Sequence, residues 1–153
     1  MKIVKGNSGF IEDKRKPEVY PKFIAFFDGA CGPKNPGGKM GWGIVVFDDE
    51  RNEIHRDWGS IPKSPNNSCN LSEYIGFSAI LDWIEDNASD GHVLVYGDSN
   101  LVIKQMFGRW KIKYGAYADL ARKCKLRIRH LTISGRWIPR EQNCLCDRLS
   151  KRN

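Results

Sequence analysis

The spacing of apolar positions changes along this chain, and each change marks a different kind of element. Residues 22–28, 41–48 and 53–61 carry short apolar or alternating runs bounded by turn residues, and they read as three strands. Asp48-Asp49-Glu50-Arg51-Asn52 supplies a hairpin loop between the second and third, and the segment Cys31 to Gly41, rich in glycine and proline, is a wide turn between the first two. Consecutive strands with short links predict an antiparallel meander. From Asn70 the period lengthens: Leu71, Ile75, Phe77, Ile80, Leu81 and Ile84 recur at helical spacing, and Asn70 is suited to cap that helix. Residues 92–97 are almost continuously apolar, as in a strand buried on both faces. A helix from Ser99 to Phe107, broken at Gly108, is followed by a helix from about Tyr117 to Lys125, a strand from Leu131 to Trp137 and a helix over 143–151. The order βββαβααβα predicts an α/β fold, a five-stranded mixed sheet flanked by helices. Residues 1–20, polar and closed by Pro17-Glu18-Val19-Tyr20-Pro21, read as an N-terminal arm, which leaves 21–153 as one domain.

Composition narrows the class. A chain of 153 residues with 41% hydrophobic and 11% aromatic content can build one sizeable core. No apolar run approaches the roughly 18 residues of a membrane span, and Met1 to Ser8 has no signal-peptide pattern, so a cytoplasmic protein with no membrane partner is expected. Five cysteines without a secretion signal predict reduced thiols, and Cys144-Leu-Cys146 is too closely spaced for a zinc knuckle. His55, His92 and His130 are scattered and read as structural; Trp42, Trp58, Trp83 and Trp137 fall in strand or helix patterns and read as core. The net charge of +7 is uneven: residues 104–140 hold eleven Lys or Arg against one acid, Asp119. Such a segment is either a solvated face or a surface for a polyanion.

The carboxylates favour the polyanion. Asp28 follows the apolar run Phe23-Ile24-Ala25-Phe26-Phe27, and Asp98 follows Val93-Leu94-Val95-Tyr96-Gly97. Acids at the ends of two strands meet if those strands are neighbours, and an open α/β sheet places its ligands beyond such strand ends. Glu73 opens the amphipathic helix and Asp147 lies in the terminal one. Four gathered carboxylates repel unless divalent cations hold them, which points to a metal site working on phosphates. Each acid has a plainer alternative: Asp28 as a turn-starter, Asp98 as a helix cap, Glu73 in a capping box with Asn70, Asp147 as an exposed helix acid.

Asp28-Gly29-Ala30-Cys31 with Asn35-Pro36-Gly37, then Asn70-x-x-Glu73-Tyr74, Gly97-Asp98-Ser99 and Asn143-x-x-x-Asp147 together resemble the type 1 ribonuclease H family. The runs Gln105 to Trp110 and Trp137 to Asn143 resemble its shorter members, which lack an extra basic helix and loop. The resemblance implies a ribonuclease H-like fold and a metal-dependent endonuclease that hydrolyses the RNA strand of RNA/DNA hybrids, leaving 5′-phosphate and 3′-hydroxyl ends. A DNA-cutting nuclease and a non-catalytic binding module of the same fold are the alternatives. It implies Asp28, Glu73, Asp98 and Asp147 as catalytic metal ligands for two Mg²⁺ ions, with Mn²⁺ as a substitute and Asp28 bridging. It implies a monomer whose partner is the hybrid duplex, with substrate contacts from Gly29, Ala30, Cys31, Asn35, Asn70, Ser99, Arg109, Trp110, Lys111, Lys113, Arg140 and Asn143. Trp110 is alternatively a half-buried aromatic covering a helix end. The sequence departs from the family twice: Pro33-Lys34 lengthens the turn before Asn35, and the loop Pro139-Arg140-Glu141-Gln142-Asn143 lacks the family's loop histidine, for which Arg140 or Glu141 can substitute.

Overall fold

A computed structural model of the chain describes residues 20–152. Of the expected arm only Tyr20 falls in this range; the rest lies outside the described residues. Five strands, β1 (Phe23–Gly32), β2 (Lys39–Asp48), β3 (Glu53–Ile61), β4 (Val93–Gly97) and β5 (Ile133–Trp137), form one sheet in the order β3-β2-β1-β4-β5. The first three pair antiparallel, whereas β4 lies parallel to β1 and β5 parallel to β4. Four helices complete the fold: α1 (Cys69–Asn87), α2 (Asn100–Phe107), α3 (Ala118–Ile128) and α4 (Cys144–Ser150), with a short 3-10 turn over Arg140–Gln142 before α4. This is the mixed sheet that the βββαβααβα pattern predicts. Among the described residues no helix is long and apolar enough to cross a membrane.

The alternation along β1 divides the core between the two faces of the sheet. Ala25 and Phe27 join Ile44, Val46, Phe77, Ile80, Leu81 and Val102 under α1, α2 and α3. Ile24 packs with Leu94, Tyr96 and Ile138 on the opposite face, where Val45, Cys146 and Leu149 seat α4. β4 is buried at all five positions, as its unbroken apolar run requires.

Four expectations change. β1 and β2 keep their ladder to the pair Gly32 and Lys39, so the wide turn shrinks to residues 33–38. The N-cap of α1 is Ser68, whose hydroxyl accepts from the Leu71 amide, and Asn70 stands inside the first turn. Ser and Asn cap equally well, and the sequence offers both within three residues. α3 continues to Ile128 because its apolar face extends to the core there. Finally, Trp58 and Trp137 are 37% and 42% exposed, unlike Trp42 and Trp83, which pack against the core. Trp58 lies on the edge strand β3, beneath the guanidinium of Arg152.

Candidate metal site and nucleic-acid face

The parallel pairing of β1 and β4 aligns Phe27 with Gly97, so the residues that follow, Asp28 and Asp98, emerge side by side. The tryptophan indole of Trp137 donates to the Asp98 carbonyl at 3.1 Å, which anchors that strand end from β5. Capping of α2 falls to Ser99, whose hydroxyl accepts from Val102. Asp98 is therefore not spent on the helix.

Glu73 reaches this pair because α1 crosses β1 at very short range. A methyl at Gly29 would collide with the backbone of Ser72 and Glu73, and one at Gly76 would sit 3.0 Å from the Asp28 carbonyl. Only the missing side chain of Gly29 allows that approach. One carboxylate oxygen from each of Asp28, Glu73 and Asp98 lies within 4.8 Å of the others. The capping-box alternative for Glu73 fails, since Ser68 holds the cap.

Desolvation of Asp28 and Glu73 makes this trio electrostatically costly. Asp28 is 3% exposed. Desolvation raises its pKa to about 7, reinforced by the charge of Asp98 and opposed by hydrogen bonds from Glu73 and from the Gly29 amide at 2.9 Å. Burial likewise pushes Glu73 well above the ordinary glutamate value, and the charge of Asp28 adds to it. Oε2 of Glu73 is buried with no hydrogen-bond partner among the described residues. A divalent cation supplies what such a site lacks: it accepts carboxylate oxygens as ligands and offsets their mutual repulsion. The donor set, all hard oxygens, fits Mg²⁺ or Mn²⁺ and not a soft metal.

Asp147 arrives from the other face. A side chain at Gly41 would strike the Ser150 carbonyl, and one at Gly43 would strike Leu149, so two glycines of β2 let α4 lie against the strand. The Asp147 carboxyl is near enough to Asp28 for the two to interact. It stands outside the trio and is held by Lys151 at 3.2 Å and Arg140 at 3.4 Å. Its partial burial works against the charge, but Lys151 and Arg140 outweigh that and bring its pKa below the usual aspartate value.

The remaining candidate contact residues fall into three groups. Around the turn, the Asn35 side chain accepts from the Cys69 amide at 3.1 Å, the Cys31 thiol faces the Lys34 carbonyl, Ala30 is half-buried, and Asn70 is exposed on the first turn of α1. Asn143 is turned inward: 2% exposed, its amide donates to the Phe27 carbonyl at 2.8 Å and ties the start of α4 to β1 just before Asp28. Arg109, Trp110, Lys111 and Lys113 are exposed together on the link between α2 and α3, with Trp110 51% exposed beneath the Lys104 ammonium at 5.3 Å from the ring centre. The basic segment is not one face, however. Arg127 turns to Asp82 and Glu85 on α1, and Lys125 caps the end of α2 through the carbonyls of Gln105 and Met106.

Sequence reasoning passed over three residues here. Lys151, four positions beyond Asp147, was visible as a helical i,i+4 pair. Asn67, buried, fastens the turn through the carbonyls of Gly38 and Pro62, and nothing in its sequence context announces this. Gln105 sits in an otherwise apolar stripe of α2 with Val102, Ile103 and Met106, a polar residue where none is expected.

Residues 26–153 match the protein family described as reverse transcriptase-like. The bifunctional protein Rv2228c of Mycobacterium tuberculosis is 33% identical over 122 residues, which are 78% of this chain and 32% of that protein. The chain thus spans about a third of the length of the curated relatives it matches. Among solved structures, the N-terminal RNase H domain of Rv2228c superposes with a TM-score of 0.75 at 28% identity, over 86% of this chain and 92% of that one. LC11-RNase H1 in complex with an RNA/DNA hybrid gives 0.74 at 26% identity, over 85% and 94%. RNase H1 of the archaeon Halobacterium salinarum gives 0.68 at 26%, over 84% and 94%.

Proposed function

The chain belongs to the reverse transcriptase-like family, a ribonuclease H-like family, and from that premise we propose that it is a metal-dependent endonuclease cutting the RNA strand of RNA/DNA hybrids. The observation that carries this is the trio of buried Asp28 with half-buried Glu73 and Asp98, in which an oxygen of Glu73 is left without a partner among the described residues. A hybrid-binding relative of the same fold supports the substrate class.

Asp28, Glu73, Asp98 and Asp147 would hold two divalent cations, Mg²⁺ first and Mn²⁺ as a substitute. When bound, such ions activate a water and support the leaving 3′ oxygen of an in-line displacement, which yields 5′-phosphate and 3′-hydroxyl ends. The protein's share is placement and charge. Asp28 lies centrally, in reach of both the trio and Asp147. Lys151 and Arg140 keep Asp147 ionised and reduce the net negative charge that an incoming phosphate meets. The turn carrying Asn35 bonds to the start of α1, one turn before Glu73, and with the exposed Asn70 it would serve as the reader of the 2′-hydroxyl. The exposed group Arg109, Trp110, Lys111 and Lys113 offers cations to phosphates and a ring to the sugar backbone, a contact that orients the duplex without reading sequence.

The test is cleavage of matched RNA/DNA, RNA/RNA, DNA/DNA and single-stranded substrates with Mg²⁺, with Mn²⁺ and with chelator. Cutting confined to the RNA of the hybrid, and abolished by chelator, is expected. Preferential cutting of DNA, or hybrid binding without cutting, would refute the assignment.

A further inference from the structure

Gln105 is the one polar side chain in the buried stripe of α2, and it is 2% exposed. A buried amide is stable only where its donors and acceptors are used. Here each is. Its carbonyl oxygen accepts from the Tyr74 hydroxyl at 2.6 Å, and its nitrogen donates to the Lys111 carbonyl at 3.0 Å and to the Tyr117 hydroxyl at 3.3 Å. The two tyrosine rings stack beside it, with centroids 5.7 Å apart and planes 5° from parallel. One amide therefore joins three segments: α1 next to Glu73, the residue that begins α3, and the backbone of the exposed basic link.

That link is held at neighbouring points. The Trp110 amide donates to the Lys104 carbonyl at 3.2 Å, and the Lys104 ammonium covers the Trp110 ring. Gln105 holds the next residue of the link, donating to the Lys111 carbonyl. Side chains of Trp110, Lys111 and Lys113 are thus presented to solvent from a backbone fastened from beneath. The fastening runs to Tyr74, whose neighbour in sequence is the metal-site acid Glu73.

We propose that Gln105 is a positioning residue, which sets the offset between the Trp110–Lys113 phosphate-contacting link and the carboxylate site through its bonds to Lys111 and Tyr74. The inference rests on the hybrid-nuclease reading above and deepens it. A duplex held by the link would meet the carboxylates at one register only while that offset is kept. Removing the amide leaves the Lys111 carbonyl and the Tyr74 hydroxyl without partners, and the link is then released from α1.

Gln105→Met keeps the volume and apolarity of the site and removes all three bonds; Tyr74→Phe removes only the bond to α1. In the full chain with Mg²⁺, Gln105→Met should raise KM for a labelled hybrid about tenfold while kcat changes less than about threefold, the signature of lost binding outside the reacting centre. Lys111→Ala should cost much less in the Gln105→Met background than in the wild type, because an unfastened link no longer presents Lys111. Hydrogen exchange of residues 108–116 should accelerate in Gln105→Met without any substrate present. If the residue merely fills the core, the apparent kcat will track the folded fraction at unchanged KM, the Lys111 effect will be unchanged, and exchange will accelerate throughout α1, α2 and α3; any of these overturns the proposal. Should Gln105→Met not fold, Tyr74→Phe decides, with a smaller KM rise and the same sub-additivity expected and an unchanged KM against it. Unchanged exchange or unchanged KM in an active wild type refutes the positioning role alone, whereas a wild type that neither binds nor cuts the hybrid refutes the nuclease reading and this inference with it.

Discussion

Replacing Asp28 by Asn should stabilise the protein when metal is withheld, even as it destroys the proposed catalysis. In the fold, burial and the neighbouring Asp98 raise the Asp28 carboxyl from 3.8 to about 7. A carboxylate with a raised folded pKa costs almost nothing at about pH 3 and below, where it is protonated in both states. The cost grows as pH climbs from 3.8 and is complete above 7. At about 1.4 kcal/mol per pH unit the gap amounts to about 4 kcal/mol. An asparagine has the same shape, can still accept from the Gly29 amide, and carries no charge. In chelator at pH 8 the variant should gain up to that amount, on the order of 10 °C in Tm for a chain of this size. At about pH 3 the two proteins should melt together. Mg²⁺ should raise the Tm of the wild type at pH 8 and do much less for the variant, because a cation binding only the folded state stabilises it by mass action. Thermal scans at the two pH values, with chelator and with Mg²⁺, measure all of this. A variant no more stable than wild type at pH 8, or equally stabilised at about pH 3, would show that the carboxylates do not strain the folded state.

Glu73→Gln should not lower the stability of α1 and should reduce hybrid cleavage by orders of magnitude, whereas Ser68→Ala should cost about 1 kcal/mol of stability by chemical denaturation and spare the chemistry, since Ser68 holds the cap and the proposed ligation falls to Glu73. A Lys111→Ala, Lys113→Ala double variant should lower the log–log salt slope of hybrid binding by about two, equally for hybrids of different sequence; an unchanged slope would place the duplex elsewhere. Gly29→Ala should lose about 3 kcal/mol or more and its cleavage activity together, because the added methyl meets the backbone of Ser72 and Glu73 and neither can yield without moving α1; near-wild-type melting would contradict the close crossing.

What the sequence disclosed was whatever repeats or alternates. Helical spacing over Leu71 to Ile84 and the apolar run before Gly97 placed α1 and β4, and the strand-end positions of Asp28 and Asp98 implied the pairing that brings them together. Contacts made by one residue across the fold left no such trace. Ser68 and Asn70 are equivalent as caps until the backbone chooses. Trp58 alternates correctly for a core strand, yet β3 is an edge strand among the described residues, and the Trp58 ring stays 37% exposed beneath the Arg152 guanidinium. Arg127 belongs by composition to a basic surface and by geometry to an ion pair with α1. Gln105 was the opposite case: a visible break in an apolar stripe, whose meaning needed Tyr74, Lys111 and Tyr117 in place.

The glycines of β2 beneath α4 have a consequence for the timing of activity. α4 has seven residues, too few to persist as a helix by itself. It exists because Gly41 and Gly43 let it dock, and Cys146 and Leu149 anchor it to Val45. Detaching that one helix costs only its own contacts, far less than unfolding the sheet. Each such excursion would withdraw Asp147 and leave Asp28, Glu73 and Asp98 on the sheet and α1. The cost of that opening would be set by the docking contacts at Gly41, Gly43 and Val45 and by the Asn143 bond to Phe27, away from the carboxylates themselves.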